Sequence, residues 1–73
     1  MTSVYSRAFP QWKHARLLAE AHRLCRLIAA RSASADPVAL TVPVSARTES
    51  VIVCWVDAGE SCQQVVGSVV YPE

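Results

Sequence analysis

Three cysteines, two histidines and six carboxylates are the side chains of this 73-residue chain that could do chemistry, and their spacing decides how much. A zinc site needs four ligands converging tetrahedrally, and tight paired spacings announce it. Cys25, Cys54 and Cys62 with His14 and His22 contain neither CxxC nor HxxxH. His22 and Cys25 are three apart and would be neighbours on a helix. A nucleophile pair also needs a third group to orient its base, and no acid follows His22 before Asp36. Asp36, Glu49, Asp57 and Glu60 all fall in turn-like or polar stretches, where solvated carboxylates are ordinary. Acid–base work would require a pocket to hold a pair of them. The expectation is a chain with no catalytic residues, no metal and no cofactor.

Basic residues are more suggestive. Lys13, Arg16, Arg23, Arg26 and Arg31 lie in the run WKHARLLAEAHRLCRLIAAR, from Trp12 to Arg31. At 100° per residue His14, Leu17, Leu18, Ala21, Leu24, Cys25 and Ile28 share one side. Arg16, Arg23 and Arg26 share the other, with Lys13 and Arg31 on one flank. That is an amphipathic helix with a buried seam and a basic back, placed at residues 12–32. No Gly or Pro interrupts it, and alanine and leucine favour it. Pro37 ends it, because the residue before a proline is pushed out of helical geometry. Glu20 is placed for weak local pairs with Arg16 and Arg23. Residues 1–11 read as an arm carrying Val4, Tyr5 and Phe9, with Ser6 as one candidate cap and Pro10 near the helix start.

After Pro37 the period becomes two. Residues 38–45 alternate Val38, Leu40, Val42 and Val44 with smaller or polar residues, as a half-buried strand does. Pro43 has no N–H to donate, which puts this strand at a sheet edge. Residues 51–56, VIVCWV, are uniformly apolar and β-branched, and read as a central strand. Asp57-Ala58-Gly59 closes a three-residue hairpin loop with Gly59 left-handed, and residues 62–71 form the third strand with Gly67 as a bulge. This loop length places Cys54 opposite Cys62, within disulfide reach. The alternative, two free thiols packed as small hydrophobes, is preferred.

The predicted architecture is α+β: one helix on a three-stranded antiparallel meander, order αβββ, in two layers. A sheet has two faces and one helix covers one. Val51, Val53 and Trp55 point one way, Ile52, Cys54 and Val56 the other; Val65, Val69 and Tyr71 alternate with Val66 and Val70. A second apolar face needs a cover: the arm, a second copy of the chain or a foreign protein. Val51, Val53 and Trp55 are taken as that sheet-face interface, with a homodimer as one outcome.

Composition bounds the rest. A chain this short makes one domain with a marginal core. Hydrophobic residues are 52% of it, which argues against disorder. Net charge is +1, but Arg7, Lys13, Arg16, Arg23, Arg26 and Arg31 precede Ser32 against Glu20 alone; after it Arg47 faces five acids. Such asymmetry points to a partner. An odd cysteine count favours a reducing, cytoplasmic location. The arginine-rich, acid-poor first half resembles a mitochondrial transit peptide, and ARSASA a cleavage site; the expectation is nonetheless mature structure. Glu20, Arg23 and Arg26 break the apolar run, so no membrane span is expected.

Four readings compete for the basic face formed by Trp12, Lys13, Arg16, Arg23, Arg26 and Arg31. They are an anchor for an acidic protein surface, a phosphate track with Trp12 stacking on a base, a membrane-surface helix, and the solvated back of a helix. The membrane reading is weakest, since the sheet needs the same seam. A short chain without motifs, with spare apolar strand surface and a basic stripe, is similar in profile to small phage anti-defence proteins such as anti-CRISPRs; no motif carries that likeness. The expected function is a non-enzymatic protein-binding module, an inhibitor or adaptor. The alternative is a nucleic-acid-binding protein.

Overall fold

The computed structural model describes residues 3–72, with side chains from Pro10 onward. Four elements follow in order: helix α1 (Ser3–Arg31) and strands β1 (Val38–Pro43), β2 (Thr48–Asp57) and β3 (Glu60–Val70). The sheet is antiparallel in the order β1-β2-β3, so β2 is central and Pro43 lies on an edge strand. The chain is an α+β domain of one helix and a three-stranded open sheet.

The seam of α1 meets the sheet as its periodicity requires. Ala21 is fully buried against Val51 and Val53, also fully buried, with Leu17, Leu18, Leu24, Cys25 and Ile28 packed around them. Each buried valine contributes about 1.5–3 kcal/mol. Two small residues set the spacing between the layers. Ala21 lets the helix axis approach β2, and Gly67 leaves room for Leu17. A Cβ built on Gly67 would stand 2.6 Å from Leu17 Cδ2 and 3.1 Å from Cδ1. At the edge, His14 Nε2 lies 3.0 Å from Thr41 Oγ1, tying α1 to β1.

The helix starts earlier than the 12–32 expected, because the stretch read as an arm continues it back to Ser3. Pro10 lies inside it; its fixed φ suits a helix, and its missing N–H removes one bond. The side chains of Val4, Tyr5 and Phe9, expected to cover a sheet face, lie outside the described residues. At the far end, Ser32 N donates to Ile28 O at 3.0 Å. Asp36 turns the chain at φ 48°, and Val56 N donates to Ala35 O at 2.9 Å.

The strand bounds differ from expectation at the polar ends. Thr48 and Glu49, which lie outside the expected strands 38–45 and 51–56, pair with Val70 and Val69 and belong to β2, while β1 stops at Pro43. The hairpin loop is two residues, Ala58 and Gly59, at φ 52° and 83°. Two successive positive φ values give the turn whose twist matches the strands it joins. Asp57 therefore pairs with Glu60 rather than lying in the loop.

Gly67 was expected at a bulge, and the ladder does shift beside it. Val51 pairs with Gly67 but Ile52 with Val65, leaving Val66 as the extra residue. An extra residue inverts the alternation on one side of it. Val69 is buried towards the helix and Val66 packs on the core, whereas Val65 is 56% exposed. The expected grouping of Val65 with Val69 and Tyr71 is thereby corrected.

Two outcomes follow. Ala58→Asn should raise the melting temperature by about 4–8 °C, because an alanine held left-handed costs about 1 kcal/mol; calorimetry reads it. Gly67→Ala should destabilise by about 1–2 kcal/mol. In a Leu17→Ala background the same change should be close to neutral, which a denaturant double-mutant cycle reads.

Candidate functional site

The outer side of α1 is the candidate site. Trp12, Lys13, Arg16, Arg23, Arg26 and Arg31 are all exposed. From residue 13 to residue 31 they span about 27 Å at the helical rise. The sequence positions them there by default: with the seam turned inward, every residue half a turn away faces water. Trp12 is 58% exposed, and the Arg16 guanidinium stands 5.3 Å from its ring centroid. That stacking holds a flat aromatic and a planar cation side by side at one end of the face.

Leu27, 55% exposed, was not among the residues singled out from the sequence. The wheel carried the signal, because Leu27 projects about 20° from Arg16 and about 40° from Arg23, far from the centre of the seam. The face thus carries an apolar side chain towards each end, with cations between. Two shallow clefts flank it and share Glu20. One, about 240 Å³, is lined by Trp12, Lys13, Arg16, Leu17 and Glu20. The other, about 210 Å³, lies between α1 and β3 and includes Arg23, Leu27, Gln64 and Val65.

The sheet-face residues chosen from the sequence are placed differently. Val51 and Val53 are fully buried beneath α1, and Trp55 packs half-buried beside them. They form the covered face, because the seam of α1 closes over the alternation that starts at Val51. The uncovered face is the other one, with Leu40, Val42, Ile52, Cys54, Val56 and Val65 at its register positions.

The two-residue hairpin also settles the cysteine pair. Trp55 pairs with Cys62 and Cys54 with Gln63, so Cys54 and Cys62 are one position out of step and on opposite faces. All three cysteines are free, the preferred arrangement. Cys25 sits in the seam, and Cys62 Sγ lies 3.8 Å from Glu60 O. His22 is exposed and His14 is held by Thr41. Among the described residues no three His, Cys, Asp or Glu side chains gather as a metal site would require. Nor, among them, is any helix long and apolar enough to cross a membrane.

Comparison with family models, characterised proteins and solved structures finds no match to this chain.

Among the described residues, the Tyr71 phenol has a displaced equilibrium. The Tyr71 phenol donates to the Glu49 carboxylate, which raises its pKa above the ordinary 10.0; partial burial and the carboxylate charge push the same way. Tyr71 N also donates to Arg47 O at 2.7 Å, so this contact fastens the end of β3 to the start of β2. A raised folded pKa means the folded state holds the proton more tightly than the unfolded chain. The resulting stabilisation is complete below the unfolded value and is lost as pH climbs through the folded one. Glu49→Gln should therefore flatten the fall of unfolding free energy above pH 10, measured by urea denaturation against the parent.

Proposed function

We propose that the protein is a non-enzymatic protein-binding module that docks the outer face of α1 on an acidic protein surface. The observation that carries this reading is the composition of that face: five exposed cations with Trp12 and Leu27 among them. Arginine and tryptophan are over-represented among residues that anchor protein interfaces. Trp12 and Arg16, already stacked, lose little side-chain freedom on binding. An inhibitor or adaptor of the phage anti-defence type fits such a device, in which a small rigid body occludes a larger partner's surface. The three free thiols favour a reducing compartment as its place of action.

The second reading, nucleic-acid binding, rests on the same exposed Trp12 beside Arg16, a pair that could stack on a base while the remaining cations follow phosphates. Glu20 and Leu27 lie within the stripe and weaken a phosphate track, whereas an acidic protein patch with apolar gaps accommodates both.

Arg16→Glu, Arg23→Glu and Arg26→Glu combined should weaken capture of the partner from host lysate at least about tenfold. The melting temperature should stay close to the parent's, as surface substitutions usually leave it. Binding to random duplex and single strands at two salt concentrations separates the readings. Micromolar, steeply salt-dependent binding would transfer the face to nucleic acid.

A further inference from the structure

Among the described residues nothing covers the face of the sheet turned away from α1, and that face is largely apolar. Leu40 and Val42 of β1 and Ile52, Cys54 and Val56 of β2 share it, and Val65 of β3 holds a register position at its rim, where it also lines the cleft beside α1. Leu40 is 43%, Val56 42% and Val65 56% exposed.

We infer that this face is the interface of a homodimer, sheet on sheet, with α1 of each copy on the outside.

Three observations select a second copy of the chain as the occupant. The first is charge. A two-fold interface sets each patch against itself, so any charge near its centre meets its own sign. Among the described strand residues, none at the register positions of this face is charged. Glu49, Asp57 and Glu60 all fall on the other register, with Val51 and Val53. The polar groups present are neutral, and Ser50 Oγ and Ser68 Oγ satisfy one another at 2.9 Å. An acidic or basic foreign partner would find nothing here to select it.

The second is area. A monomer of 7.9 kDa exposes about 4,400 Å² by the usual scaling, whereas this chain exposes 5470 Å². The excess belongs to the elongated whole, 50 × 21 × 11 Å, and association of two copies through this face would remove part of it from water.

The third is the core. Among the described residues the fully buried apolar side chains are Ala21, Ala35, Val51, Val53 and Val69, none larger than valine. Small domains with so little interior are commonly completed by association. Two such sheets packed about 10 Å apart would bury Ile52 and Leu40 in a second core.

Cys54 reports on the arrangement because it is on the bare face, while Cys25 and Cys62 are on the helix side. Sedimentation of the full chain should give twice the single-chain mass. Alkylation of Cys54, followed by peptide mass spectrometry, should slow about tenfold as concentration carries the chain from monomer to mostly dimer. The rates of Cys25 and Cys62 should not change with concentration. Leu40→Glu and Val42→Glu should each return the single-chain mass and fast Cys54 alkylation, with helical and strand circular dichroism retained. A single-chain mass at millimolar concentration would overturn the inference. So would a dimer whose Cys54 reacts equally fast at every concentration, the signature of edge-to-edge pairing. The dilution series needs no variant, so a misfolded Leu40→Glu chain would leave the question answerable. The triple arginine reversal should leave the dimer mass unchanged, which keeps this inference separate from the proposed docking face.

Discussion

The contact of Ala21 with Val51 and Val53 is the constraint on which the molecule depends. A helix can lie close to a sheet only where both present small side chains or none. Ala21 supplies this on one side and Gly67, beneath Leu17, on the other. Once the helix is seated there, its rotation is fixed. Leu17, Leu24 and Ile28 must turn inward, and Arg16, Arg23 and Arg26 must turn to water. The charge distribution of the surface is therefore a consequence of packing in the seam.

The same contact divides the sheet. One helix can cover one face of three strands, and it lies more over β2 and β3 than over β1. The covered face receives the strand carboxylates at its rim, including Glu49 held by Tyr71. Among the described strand residues, those at the register positions of the bare face are neutral, with Asp36 at its margin. A molecule of 50 × 21 × 11 Å thus carries two chemically different surfaces back to back, a cationic helix and a neutral apolar sheet. A surface of the first kind selects partners by charge; one of the second kind selects by shape and by the water it releases. The two proposals assign different partners to them for that reason.

Several features were legible from particular residues. Pro43, unable to donate a hydrogen bond, marked β1 as an edge. The uninterrupted β-branched run at Val51–Val56 marked β2 as central. Leu17, Ala21, Leu24 and Ile28 marked the seam, and the arginines half a turn away marked the candidate site. Less legible were details that depend on a single residue of offset. Asp57-Ala58-Gly59 looks like a three-residue loop because Gly59 alone advertises positive φ. Ala58 adopts it too, the loop is one residue shorter, and Cys54 and Cys62 separate to opposite faces. Val66, extra in its ladder, turns Val65 to the bare face against simple alternation.

From its amino acids alone, then, this chain determines its elements, their order, and which side of the helix carries charge, because periodicity is a local property of side chains that must be buried or wet together. Tertiary structure decided which of two apolar sheet faces the helix would take, how the hairpin register ran, and that Ile52 and Cys54 rather than Val51 and Val53 would be left uncovered. Both faces of β2 are hydrophobic enough to be a core. The choice between them rests on where Gly67 receives Leu17 and where Ala21 meets Val51 and Val53, coincidences of residues 30 to 50 positions apart that no local pattern contains.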